Sequence, residues 1–107
     1  MLKYLEVETE QGLELIACDS ILNIQADENE EGIAYINLKD ANHSRIKVEA
    51  DFKKPTQIIN PFKDAIYVAA TTNWMKPISP VIFDGDNSNV SIKKITLECI
   101  QCKPVKE

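Results

Sequence analysis

The side chains best suited to chemistry in this chain are three cysteines, one histidine and a turn rich in aspartate. Cys99-Ile100-Gln101-Cys102 is the one C-x-x-C, and with Cys18 and His43 it would offer zinc three thiolates and an imidazole. Residues three apart on an extended strand point to opposite faces, so both sulfurs reach one metal only where the chain turns. No second C-x-x-C accompanies the pair, and it lacks the Gly or Pro of a zinc knuckle. A thioredoxin-type redox pair opens a helix after a strand, whereas this one closes the chain. The expectation is therefore packing rather than metal: Cys18 and Cys99 as small core or edge hydrophobes, Cys102 in a frayed tail.

The other candidates also read as structure. Asp84, Asp86 and Ser88 imitate the first half of a calcium loop, but its sixth position is Asn89 instead of Gly and its twelfth is Ile95 instead of Glu. That spacing predicts a solvated turn. His43 falls in a hairpin turn with no nucleophile motif beside it, so a hydrolytic triad has no partner residues. Glu28, Glu30 and Glu31 crowd one acidic hairpin tip, a pattern of solvated charge. No G-x-G-x-x-G or phosphate loop occurs, and three glycines leave little from which to build one. The chain is expected to be non-enzymatic, with no cofactor and no metal. Trp74 stands just after a helix and before two prolines. It reads either as a cap on the helix–sheet core or as an interface anchor, since tryptophan is enriched where proteins bind one another.

Composition narrows the partners. The 107 residues are 44% hydrophobic and 27% charged, which is enough apolar material for a core in a single domain spanning 1–107. Seventeen acidic against twelve basic side chains give a net charge of −5, which disfavours nucleic acid and anionic membranes as partners. A local basic patch from Lys47, Lys53, Lys54, Lys93, Lys94 and Lys103 stays compatible with that total. No apolar stretch approaches the ~20 residues of a membrane span. The opening residues lack a basic region followed by an apolar one, so a cytoplasmic setting is expected. Three cysteines cannot all pair within one chain, and they are read as reduced thiols.

Apolar residues recur mostly with period two, the signature of half-buried strands. Leu5 and Val7 point away from Tyr4, Glu6 and Glu8. After a turn at Gln11-Gly12, Leu13, Leu15 and Ala17 form one stripe against Glu14, Ile16 and Cys18. Asp19-Ser20 punctuates, and Leu22, Ile24 and Ala26 then alternate with Ile21, Asn23 and Gln25. An acidic tip closed by Gly32 leads into Ile33 to Leu38, apolar on both faces and so a central strand. A further turn over 40–44 precedes Ile46, Val48 and Ala50, which alternate with Arg45, Lys47 and Glu49. Asn60-Pro61 reads as a helix start, giving a helix near 61–72 with Phe62, Ile66, Ala69, Ala70 and Ala65 on its buried face. Pro77 and Pro80 make the next stretch extended. Val90 to Cys102 reads as a long strand whose apolar face switches near Lys93-Lys94, which implies a β-bulge. Five strands, a helix and one or two more strands predict an α+β, mostly β fold. Its form is an antiparallel twisted sheet or partly closed barrel of roughly six to seven strands with one helix, consecutive strands being neighbours.

Two resemblances bear on function. The run Asp19 to Ile24 followed by Ile33 to Asp40 resembles the core of LytTR-type β-rich domains, which implies a DNA- or regulator-binding role as the alternative reading. Over most of the chain, the order Leu5-Glu6-Val7, Gly12 to Ile24, Ile33 to Val48, Pro61 to Ala70 and Trp74 resembles small structural proteins of marine tailed phages. That likeness implies assembly within a virion, without catalytic residues. Open sheet edges suit pairing with a second copy. The leading expectation is a structural or protein-interaction module that self-associates or binds other structural proteins, in the cytoplasm or in a virion.

Overall fold

The strands form where turn residues let alternating apolar stripes pair. The computed structural model describes residues 3–39, 44–71, 77–85 and 88–99. Trp74, His43, Cys102, Asp86 and the turn over 40–43 lie outside the described residues. In chain order come β1 (Tyr4–Thr9), β2 (Gly12–Ala17), a 3₁₀ turn (Cys18–Ser20), β3 (Ile21–Ala26), β4 (Ile33–Leu38) and β5 (Ser44–Ala50). A helix, α1 (Pro55–Thr71), and the strands β6 (Ile78–Pro80) and β7 (Ile92–Cys99) complete them. The fold is α+β and mostly β, a seven-stranded sheet curled into a half-barrel with one helix.

The strand order is β2-β1-β7-β5-β4-β3, with β6 beside the first half of β1. Most pairs are antiparallel, as the short turns require. The sheet is nevertheless mixed, because β1 runs parallel to both β6 and β7. Consecutive β2 and β3 are not neighbours but the two outermost strands of the main path. The turn joining them explains how: the Cys18 amide donates to Lys3 O (2.9 Å), and the Lys39 amide donates to Ser20 O (2.9 Å). The turn thus ties the start of β1 to the end of β4, and this end of the sheet is pulled round on itself.

The concave face carries the core. Leu5 and Val7 on β1, Ile16 on β2, Ile36 on β4, Val48 on β5 and Ile92 on β7 are buried there with Ile58, Phe62 and Ala65 of α1. Burying each large side chain is worth about 1.5–3 kcal/mol against leaving it in water. The helix packs on β3, β6 and β1, and so spans the open side of the half-barrel. The Phe62 ring meets Phe83 edge-on, at 6.5 Å and 72°. Ser79 on β6 donates its hydroxyl to Ala65 O at 2.9 Å, fastening strand to helix inside the core.

The helix starts at Pro55, earlier than the expected 61. Proline at the first helical position loses no needed bond, and Gln57 reaches back so that its Oε1 accepts the Lys53 and Lys54 amides at 2.8 and 3.0 Å. Lys54-Pro55-Thr56-Gln57 was the true start signal. Pro61 sits buried inside the helix. The buried stripe is Ile58, Phe62, Ala65 and Ala69; Ile66 is half-buried and Ala70 is exposed.

The bulge expected at Lys93-Lys94 is present. Val48 faces Ile95 and Glu49 faces Lys94, yet Ala50 faces Ile92, so Lys93 is the extra residue. That one insertion returns Ile92 to the same concave face as Ile95, Leu97 and Cys99.

Candidate interaction surface

Hairpin arithmetic sets the convex face of β1 and β2. Glu10 and Gln11 form the turn, whose start is fixed by Thr9: its hydroxyl donates to Gly12 O (2.8 Å) and accepts the Gln11 amide (3.1 Å). Gly12 takes a φ of 123°, a conformation open to glycine and strained for other residues. The register then follows, with Leu5 opposite Ile16, Glu6 opposite Leu15 and Glu8 opposite Leu13. Because Leu5 and Val7 face the core, Leu13 and Leu15 must face out, where they are 64% and 54% exposed. The stripe Leu13, Leu15 and Ala17 is therefore the outer one, and Ile16 supplies the core contact.

Beyond β1 lies a groove of about 550 Å³, where β1 exchanges β6 for β7 as its neighbour. Glu6, Glu8 and Glu10 line one side, and Pro80, Ile82 and Phe83 the other; among the described residues, no lysine or arginine lines it. Ile78 and Ile82 are 46% and 59% exposed. Among the described residues, no ion pair engages Glu6, Glu8 or Glu10.

The convex face of β7, β5, β4 and β3 is differently built. Arg45 Nε lies 2.9 Å from Glu98 Oε1, directly across from it in the ladder. The Arg45 guanidinium also stacks 3.8 Å from the centre of the Tyr35 ring. Tyr35 donates its hydroxyl to Asp27 Oδ2 (3.2 Å), and Asn37 donates to Asn23 (2.6 Å). Asp27 Oδ1 accepts the Asn29 and Glu30 amides at the hairpin tip. The Asn29 amide, then the Tyr35 hydroxyl and the Glu30 amide, hold the Asp27 carboxyl below its ordinary pKa. Burial, then the bond to Asp27, raises the Tyr35 phenol. Lys94 and Lys93 face Glu49 and Asp51 at 3.4 Å, so two of the lysines of the expected basic patch are already opposed by carboxylates. A larger groove of about 700 Å³ beside Phe52 holds Lys53 and Lys93 together with Glu31, Glu49 and Asp51, so its charges are mixed.

Of the residues singled out for chemistry, only some lie among the described ones. Trp74, the expected interface residue, and His43 lie outside the described residues. Cys18 is a free, half-buried thiol whose pKa is raised by burial and then by the Asp19 charge. Cys99 is disulfide-bonded, which corrects the expectation of three reduced thiols and removes a thiolate from any zinc site. Among the described residues, no three His, Cys, Asp or Glu side chains gather as metal ligands, and no helix is long and apolar enough to cross a membrane.

The outermost strands are the remaining feature. Among the described residues, β2 pairs only with β1, and β3 only with β4. Glu14 points to the concave side of β2 opposite Val7, an inward charge of the kind that discourages edge pairing. β3, Ile-Leu-Asn-Ile-Gln-Ala, has no charge and no proline. The Asp27 amide donates to Ile33 O across the ladder, so by alternation the Ile24 and Ala26 amides point away from β4. Leu22 sits at a register shift and is 61% exposed. Comparison with protein-family models, with curated proteins and with solved structures returns no match.

Proposed function

We propose that this chain is a non-enzymatic structural or interaction module that self-associates by adding the β3 strand of a second copy to its own. The uncharged, unpaired edge of β3 carries this reading. Such an edge offers a row of amides and carbonyls to another strand, and two copies of one strand pair antiparallel about a two-fold axis. The β2 edge, guarded by Glu14, is the less receptive of the two. A virion is the setting implied by the resemblance to phage structural proteins. The DNA-binding alternative has less behind it, since Lys93 and Lys94 each face a carboxylate.

Sedimentation across micromolar to millimolar concentration tests the proposal. The unaltered protein should form dimers. Ala26→Pro, which deletes an outward amide and leaves the β4 ladder alone, should sediment as monomer. Gln25→Lys, which adds a charge to the edge, should do the same while keeping the circular dichroism spectrum. A monomer at every concentration, or dimers unaffected by both changes, would sink the reading.

A further inference from the structure

The convex face of β1 and β2 is an unpartnered sheet face that leaves large apolar side chains in water. Leu13 and Leu15 stand on one side of the carboxylate row, Ile78 and Ile82 on the other. Opposed pairs on a sheet stabilise it when they match in charge or polarity. Here the opposed pairs are Glu6 with Leu15 and Glu8 with Leu13, which satisfy neither member. The groove beside them has an apolar wall of Pro80, Ile82 and Phe83 and, among the described residues, no cation in its lining. A partner that completed this face would bring apolar side chains to the leucines and positive charge to the carboxylates.

We propose that this face docks an extended segment of another protein in which lysine or arginine alternates with apolar residues. The period of such a segment matches the strand. Its cationic side chains would lie along Glu6, Glu8 and Glu10, the stem of each against Ile82 and the charge on the carboxylates. Its apolar side chains would cover Leu13 and Leu15. A second copy of the chain is the wrong occupant, because two copies of this face would set carboxylates against carboxylates. Nucleic acid and anionic lipid are repelled for the same reason. The surface is distinct from the β3 edge, so either can fail while the other stands.

Titration of ¹⁵N-labelled protein with a short lysine–valine alternating peptide tests it, with a glutamate–valine peptide as control. Amide shifts should gather in β1, β2 and 80–83 for the lysine peptide and be absent for the control. Glu6→Gln with Glu8→Gln should weaken binding about tenfold, as the loss of two surface ion pairs allows. Salt at about 0.5 M should weaken it comparably. Leu13→Ser with Leu15→Ser should weaken it too, while sedimentation stays that of the unaltered protein. No shifts in β1 and β2, or equal binding by the Glu6→Gln, Glu8→Gln variant, or equal binding of the glutamate peptide, would overturn the proposal.

Discussion

The two halves of the convex face solve the same problem in opposite ways. On β7, β5, β4 and β3, Arg45 lies against Glu98 and Tyr35, Lys94 against Glu49, and Asn37 against Asn23. On β1 and β2, Glu6 and Glu8 sit opposite leucines. Both halves cover the same core, the β1–β2 half with parallel neighbours on one side of β1 and the other antiparallel throughout. The matched half spends its side chains on itself. The unmatched half leaves charge and apolar area in water, and the proposed docking of an outside segment rests on that contrast.

Six substitutions would break or sharpen the contrast, beginning with the core beneath both halves. Phe62→Ala removes the fully buried ring between helix and sheet and should cost about 3–5 kcal/mol in denaturant unfolding. A single transition reported by probes on β1 and on β4 is expected; separate transitions would make the halves independent units. Gly32→Ala strikes the matched half alone. Gly32 has a φ of +79°, and an added Cβ would fall 2.7 Å from the Ala50 carbonyl oxygen, so a loss of about 1–3 kcal/mol is expected. Ser79→Ala loosens β6 from the helix and should cost about 1 kcal/mol.

The smaller effects go directly to the surface pairs. Glu98→Gln should lose about 0.5–1 kcal/mol, since the Arg45 pair is only partly shielded from water. Glu6→Gln should lose nothing, and equal losses at the two sites would erase the proposed difference. The last test is titration by carboxyl NMR. Asp27 has a lowered folded pKa, so its contribution is present above the ordinary carboxylate range and disappears as pH falls through the depressed value. Tyr35 is raised, so its contribution is complete below the ordinary phenol value and is lost as pH rises through the folded one. Tyr35→Phe should bring the Asp27 titration back toward the ordinary value.

Much of this was legible in the chain where local rules suffice. The Asp27–Gly32 tip, the alternation of Arg45 to Ala50 and the bulge at Lys93 follow from period and turn chemistry. Alternation alone left open which stripe of β2 faces out, and the register of the two-residue turn decides it. Counting from Glu10-Gln11 puts both leucines opposite glutamates. The helix starts earlier than expected because Lys54-Pro55 shares the proline of Asn60-Pro61 but has no capping side chain of its own. Gln57 caps it instead by accepting the Lys53 and Lys54 amides, a contact that depends on where the chain folds back. Placing β2 and β3 at opposite ends of the sheet goes with the bonds from the Cys18 amide to Lys3 O and from the Lys39 amide to Ser20 O. No spacing in the sequence encodes that choice. The candidate surface was hidden for the same reason, because exposure is a property of the assembled sheet.

The position of β7 has a consequence for how the molecule comes into being. Among the described strands it is last in chain order, yet it sits between β1 and β5. Until it is made, β5 has a bare inner edge along Ser44 to Ala50, while β6 already covers Tyr4 to Glu6 of β1. The Arg45–Glu98 contact closes across 53 residues, and distant contacts of this kind make folding slow. A nascent chain therefore carries the sticky β5 edge during synthesis, and arrival of Ile92 to Cys99 shuts it and adds the Thr9–Ile92 bridge that joins the meander to β1.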